Sequence, residues 1–318
     1  MQPGTLDGSL ADSSIEGTSC PPLHKSPVVE EQSGLHQALS ARMANQKSKI
    51  FMEPSAGNPR ASVLTACRAN FIQAYEGVAR IVPGGLVERL GGLTAVRSGM
   101  PGSNFNVVFG LSAPTSLEVL SEGIDRLFVK TSTQFMVITT RDTLDLLKQL
   151  LDEKNLTVRT DMPGMVLDPI PAACPAAPSD LEIKPVTEPH EIDRYLSTGA
   201  AGFGLPTDYF DLWASGLLAE SVLPSPPWAG YLGYSGGEPV ATSLRVTTGR
   251  IAGIYFVSTL PDFRSRGFGT AMTWRAAVDG TKEGCRMSYL QSSPMGRPVY
   301  ERMGYRLIDE YQEWKAET

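Results

Sequence analysis

The stretch with the most chemistry in this sequence is Arg264-Ser265-Arg266-Gly267-Phe268-Gly269-Thr270. Two glycines without a Cβ let a tight turn bring backbone N–H groups against a ligand. The turn opens a helix predicted to run to about Gly280. The first turn of a helix carries unpaired N–H donors and the positive end of its dipole. Before the turn lies an apolar stretch, Arg250 to Thr259, that reads as a strand. Strand, glycine turn and helix start together make a cradle for a phosphate-type anion. Two arginines add fixed positive charge for the same anion. The spacing of arginine and glycine fits from Arg264 or from Arg266, so the surroundings must decide.

Little else in the chain offers nucleophilic or metal chemistry. Only three histidines occur, His24, His36 and His190, so histidine acid–base work has few candidates. The four cysteines, Cys20, Cys67, Cys174 and Cys285, lie far apart and form no C-x-x-C pair. No zinc or dithiol centre is expected from them, and scattered thiols fit a reducing, cytoplasmic setting. A net charge of −6 argues against a nucleic-acid or anionic-membrane partner. No apolar run reaches transmembrane length, and no basic-then-apolar leader is visible.

The elements that must position the turn follow from hydrophobic spacing. A chain of 318 residues with 42% hydrophobic content predicts two globular domains. Residues 1–58, rich in Ser, Gly, Pro and Glu, read as a disordered tail, with at most a weak helix around Leu35, Leu39 and Met43. From Ala61 to Val78 apolar residues recur at helical spacing. Strand-like pieces at 85–96 and 104–110 follow, then a helix over 116–129 and a strand at 134–139. An Asp-capped helix at 142–151 and strands at 156–161 and 165–167 complete a compact α/β unit over 59–168. Residues 169–178, rich in Pro and Ala, read as a stiff linker.

The second unit, 179–318, opens with a strand at 181–187 and a helix at 190–196. A glycine-rich loop, Gly199–Gly204, and a helix over 207–220 come next. Strands at 231–234 and 239–247 join through Gly236-Gly237, a hairpin signal. The strand 250–259 is apolar on both faces, with Ile251, Tyr255 and Val257 on one and Ile254 and Phe256 on the other. Such a strand belongs in the middle of a sheet. Ala271, Trp274 and Val278 then mark one helix face. A right-handed crossover makes the strand 286–291 parallel to 250–259. A short helix at 297–303 and a strand at 305–314 finish the unit.

Over about residues 180–314 this order resembles the GNAT superfamily of N-acyltransferases. Val257-Ser258-Thr259-Leu260-Pro261-Asp262-Phe263 resembles the family's strand, Pro and aromatic approach to its R/Q-x-x-G-x-G/A loop. That favours the register starting at Arg264. Tyr300-Glu301-Arg302-Met303-Gly304-Tyr305 resembles the family's Tyr-x-x-x-Gly-aromatic segment, and Ser293 stands where Asn is common. Residues 60–168 resemble a second, degenerate unit of the same order, as in tandem members of the family, with no Arg-Gly loop between Gly110 and Ser116. The implied fold class is α+β: a GNAT-like mixed sheet flanked by helices, with a truncated GNAT-like N-terminal α/β domain.

The resemblance implies acetyl-CoA as the acyl donor and an amine, of a small molecule, as the acceptor, reacting directly in a ternary complex. Backbone N–H groups of Arg264, Ser265, Arg266, Gly267, Phe268, Gly269 and Thr270 would hold the diphosphate. Val257, Ser258 and Thr259 would run along the pantetheine arm, with Ser293 across from them. For this the two parallel strands must splay. The Val257 N–H is the candidate oxyanion donor. Tyr300 is either the general acid for the departing thiolate or a packing neighbour of the cofactor. No carboxylate lies on 250–259. Glu238, Asp208, Asp211 and Glu310 read as surface charges, and no base is assigned. Phe203, Tyr209, Phe210 and Trp213 either line an apolar acceptor pocket or belong to the core, and Gly199–Gly204 reads as a mobile lid. The missing carboxylate and Ser293 also motivate an alternative, a non-catalytic acyl-CoA-binding sensor or scaffold. Transfer of a longer acyl chain is a third reading.

Overall fold

The computed structural model describes residues 59–219 and 227–316. The expected tail over 1–58, its short helix and the end of the helix expected to reach 220 lie outside the described residues.

Helix α1 spans Pro59–Ile81 and is followed by a meander of β1 (Leu86–Leu90), β2 (Leu93–Arg97) and β3 (Asn106–Gly110). Helix α2 (Leu117–Ile124) continues into a π-helical turn, Asp125–Val129, and leads to β4 (Met136–Thr140), α3 (Arg141–Glu153) and β5 (Leu156–Leu167). Residues 168–181 form no helix or strand, but the Ile170 N–H donates to the Arg286 carbonyl at 2.8 Å. Then come β6 (Glu182–Pro185), α4 (Pro189–Phe203), α5 (Asp211–Ala219), β7 (Trp228–Ser235), β8 (Glu238–Thr248) and β9 (Ile251–Thr259). A 3₁₀ turn at Pro261–Phe263 precedes α6 (Phe268–Thr281), β10 (Met287–Gln291), α7 (Arg297–Arg302) and β11 (Arg306–Ala316).

The strands form one sheet in the order β1-β2-β3-β4-β11-β5-β10-β9-β8-β7-β6. The same succession occurs twice. Three antiparallel strands are followed by a helix and a parallel strand, β3 to β4 and β9 to β10, and then by a helix and a last strand. The last strands lie together at the centre. The β11 strand pairs with β4 and β5, and β5 pairs with β10, all antiparallel. Each succession therefore ends against the parallel strand of the other, and the apolar faces close over a continuous sheet.

Successive residues of a strand point to opposite faces, and β9 uses both. Ala252 and Ile254 pack with Ala271, Met272 and Ala276 of α6. On the other face Tyr255 and Phe256 pack with α1, α4 and α5 through Val78, Tyr195 and Trp213. Asn70, fully buried on α1, pins that helix to the second succession. Its Nδ2 donates to the Val246 carbonyl at 2.9 Å, and its Oδ1 accepts from the Tyr255 hydroxyl at 2.6 Å. Gly253 makes the approach possible, since a Cβ there would fall 1.9 Å from Asn70 Oδ1.

Several expected elements differ. The piece at 85–96 is a hairpin, because Gly91 and Gly92 both take positive φ and turn the chain. The strands at 156–161 and 165–167 are one, since β11 pairs along the whole of β5. Gly199–Gly204 is not a loop. The α4 helix runs through it and stops at Gly204, whose φ of 72° makes the left-handed helix cap. The lid reading therefore falls. The helix starts with Pro189 in its first turn, and the Glu191 carboxylate accepts the Thr187 and Glu188 N–H groups at 2.9 and 3.1 Å.

Candidate functional site

The glycine turn sits at the end of β9, where the sheet opens. The parallel pair of β9 and β10 is in register only at Met287↔Ile251, Ser288↔Ala252 and Tyr289↔Gly253. Beyond these the β9 strand runs on to Thr259 and β10 to Gln291 without pairing to each other. The expected splay is present. In the first succession, β3 and β4 stay paired up to Gly110↔Thr139, at the end of β3.

A bulge reinforces the opening. Thr242 lies opposite Ser258 and Leu244 opposite Tyr255, so Phe256 and Val257 together face Ser243. Phe256 has φ of +52°, the left-handed region that a bulky residue avoids. The surroundings hold it there. Thr242 Oγ1 donates to the Phe256 carbonyl at 2.8 Å and is 2.9 Å from Ser258 Oγ, while the Phe256 ring is packed by Tyr195, Phe203, Phe210 and Trp213. Bulges of this kind re-aim a strand and cluster at active sites.

The helix start next to it is left open. The Ala271 N–H donates to the Gly267 carbonyl, so the Phe268, Gly269 and Thr270 N–H groups precede the first bond of α6. Gly267, with φ of 81°, supplies no side-chain cap. The corresponding helix of the first succession, α2, is closed by its own residue: Ser116 Oγ accepts the Val119 N–H at 3.2 Å. At Gly269 a Cβ would meet nothing nearer than 3.8 Å, with Thr259 Oγ1 and Val257 Cγ1 as its neighbours. Protein packing does not require glycine there. The space is free for a ligand, and a methyl group would fill it. A diphosphate fits this cradle by geometry and by the sign of the helix dipole.

The arginines play a different part from the one expected. Arg264 spends its N–H on the Pro261 carbonyl, and its guanidinium donates to the Thr259 carbonyl at 3.1 Å and the Gly202 carbonyl at 2.7 Å. It clamps the end of α4 to the end of β9. Arg266 lies over the Phe263 ring and donates to the Asp262 carbonyl at 3.0 Å, close to the turn but exposed. Ser265 has φ of 62° and helps form the bend.

Tyr300 on α7 faces α6. Its ring stacks edge-on against Tyr305, and its hydroxyl shares a hydrogen bond with Thr273, whose Oγ1 donates to the Gly269 carbonyl at 2.9 Å. Burial pushes the phenol above its ordinary range, and the Thr273 hydrogen bond offsets part of that. Tyr300 is therefore held protonated and tied to the cradle. Ser293 is exposed, and its Oγ accepts the Gly296 N–H at 3.1 Å.

On the other side of the bulge lies a cavity of about 340 Å³. Phe203, Phe210 and Trp213 line it together with Phe105, Trp228 and Phe256, and Phe210 and Trp213 also belong to the buried core between α4, α5 and β9, as the core reading had it. Tyr209 does not line it, because its hydroxyl is turned away to the Pro101 carbonyl at 2.6 Å. Sequence reasoning missed the contribution of α1 and the segment before β3, where Tyr75, Val78 and Phe105 make one wall. Their helical and strand spacing gave only their burial. Glu238, Asp208, Asp211 and Glu310 are all exposed, and none lines the cavity.

Among curated proteins none matches the chain. Solved structures do. A GCN5-related N-acetyltransferase from Kribbella flavida superposes with a TM-score of 0.58 at 18% identity, covering 80% of this chain and 96% of that one. One from Sphaerobacter thermophilus gives 0.54 at 18%, covering 81% and 92%. A tandem GNAT protein from the clavulanic acid biosynthesis pathway gives 0.50 at 12%, covering 81% and 96%. At these identities the likeness is one of fold. The family model described as acetyltransferase (GNAT) family matches residues 203–305, from the end of α4 through the bulge, the glycine turn and Tyr300. Residues 203–305 are thus a domain of the GNAT acetyltransferase family, within a chain that has the GNAT fold.

Proposed function

We propose that the protein is an acyl-CoA-dependent N-acyltransferase that moves an acetyl group onto an amine. The observation that carries this is the coincidence of three features at one point. The β9–β10 pair opens, β9 bulges at Phe256–Val257, and the uncapped start of α6 lies beside the opening. Acetyl-CoA supplies the activated acyl group as its thioester.

In this reading the N–H groups of Gly267 to Thr270 hold the diphosphate at the positive end of α6. The free edge of Val257, Ser258 and Thr259 pairs with the pantetheine amides as an added strand would. The Val257 N–H, freed from the ladder by the bulge, donates to the carbonyl oxygen as charge builds there. A preorganised donor of this type contributes about 3–4 kcal/mol to the transition state. The amine nitrogen forms its bond to the carbonyl carbon as the bond to sulfur breaks, and the Tyr300 hydroxyl gives its proton to the sulfur. The proton lost by the nitrogen leaves through water, since no carboxylate lines the cavity among the described residues. Ser293, tied to Gly296, supports the end of the arm from the far side.

Free-thiol release from acetyl-CoA over a panel of amines, with mass-spectrometric detection of the N-acetyl product, tests the reading. Turnover with at least one amine is expected. Tight acetyl-CoA binding without turnover on any amine would instead favour a sensor.

A further inference from the structure

Among the described residues, the cavity beside the bulge has no charge on its walls. The described residues that line it are six apolar aromatic rings, four aliphatic side chains, two tyrosines and one asparagine, with no Asp, Glu, Lys, Arg or His among them. An alkylammonium entering it would lose its hydration with no counter-charge to replace it. It would also find no group to take its extra proton before attack. The one amide nearby makes matters worse for a cation, because Asn104 Oδ1 already accepts from Lys315 Nζ at 2.9 Å. Lys315 is itself paired with Glu313 at 3.1 Å, so that pair brings no net negative charge.

We infer that the acceptor held in this cavity is an apolar aromatic amine, of the aniline class, that is uncharged at neutral pH. The inference rests on the acyl-transfer reading above and names its substrate class. An amino group conjugated to a ring is neutral near pH 7, so it needs neither a base nor a counter-charge. Its ring packs edge-on or offset against Phe105, Phe210 and Phe256, whose own contacts are already of that kind. A cavity of roughly 150 Å³ accommodates benzene, so one of about 340 Å³ holds a ring with a short chain or a second ring. The Tyr255 ring forms part of the cavity wall, while its hydroxyl is turned to Asn70 Oδ1 at 2.6 Å. Tyr255 directly precedes Phe256, so this wall adjoins the bulge. In the transfer the aryl nitrogen gains the acetyl carbon and gives up one proton, and the thiol leaves with one proton.

Two isomeric acceptors, 4-propylaniline and 3-phenylpropylamine, separate the classes, because they share a composition and differ in where the nitrogen sits. With full-length protein and acetyl-CoA, kcat/KM for 4-propylaniline should exceed that for 3-phenylpropylamine by tenfold or more at pH 7. Val78→Phe, which fills the cavity from α1, should lower it at least tenfold while acetyl-CoA affinity holds. A preference for 3-phenylpropylamine or for a polyamine overturns the inference and leaves the acyl-transfer reading standing. Should no amine be acetylated, binding still decides: 4-propylaniline alone should quench the fluorescence of Trp213 and Trp228, and no saturable quench overturns the cavity assignment.

Discussion

A Cβ on Gly199 would fall 2.1 Å from Cζ of Phe256, so α4 lies directly on the ring that marks the bulge of β9. Gly202, one turn on, stands in the same relation to Ser258, 2.5 Å from its Oγ. The helix reaches the strand only because it carries no side chain at these two points. The ring cannot yield, since Tyr195, Phe203, Phe210 and Trp213 surround it. We expect Gly199→Val to lose about 1–3 kcal/mol of stability from overpacking and to lower kcat/KM by displacing the bulge. Urea unfolding beside thiol-release kinetics checks both. Full stability would show that α4 does not press on the bulge.

Gly269 should behave in the opposite way. No protein atom comes within 3.8 Å of a Cβ there, and alanine is favoured over glycine in a helix by up to about 1 kcal/mol. Gly269→Ala should therefore keep or raise the melting temperature. It should also weaken acetyl-CoA binding tenfold or more, because the methyl group occupies the cradle. Calorimetric titration and a thermal melt on the same sample read the two effects. Unaltered affinity would remove the turn from the binding site.

The contrast between these two glycines shows what could be read from the sequence. Gly269 announces itself by its place between an apolar strand and a helix. The bounds of β9, α6 and β10 follow from local spacing to within a residue or two. Gly199 and Gly202 read as a loop, because their reason for being glycine is Phe256 and Ser258, more than fifty residues away. The two roles of Arg264 and the α1 wall of the cavity are likewise tertiary facts. Val78 announces burial but not what it is buried beside. The exchange of β5 and β11 at the sheet centre had no local signal, and the Gly91-Gly92 turn did, in the same dipeptide that marked Gly236-Gly237 as a hairpin.

Tyr300→Phe should keep the ring contact with Tyr305 and lose only the proton donor. We expect kcat to fall by about 10²-fold or more, with acetyl-CoA affinity unchanged. Burial raises the Tyr300 phenol above its ordinary value near 10. The protonated, active form is then fully present at neutral pH and is lost only as pH rises through that elevated value. With an aniline acceptor, kcat should stay level from pH 7 to about 9.5, and a basic limb below pH 9 would exclude Tyr300 as the acid.

Arg264→Ala removes the clamp between the Gly202 and Thr259 carbonyls. The side chain is exposed, so the loss should be modest, about 1 kcal/mol, with a smaller drop in acetyl-CoA affinity than Gly269→Ala gives. Arg264→Lys should not restore the stability, because an ammonium lacks the planar fork that reaches both carbonyls. Unchanged stability with a steep, salt-dependent loss of affinity would mean that Arg264 contacts the phosphates directly.

A crystal structure with acetyl-CoA bound tests the central claim most directly. The diphosphate should accept hydrogen bonds from the N–H groups of Gly267 to Thr270. The thioester carbonyl should face the Val257 N–H in the opening between β9 and β10, with the sulfur beside the Tyr300 hydroxyl. A cofactor bound elsewhere, or an opening left empty under saturating acetyl-CoA, would contradict it.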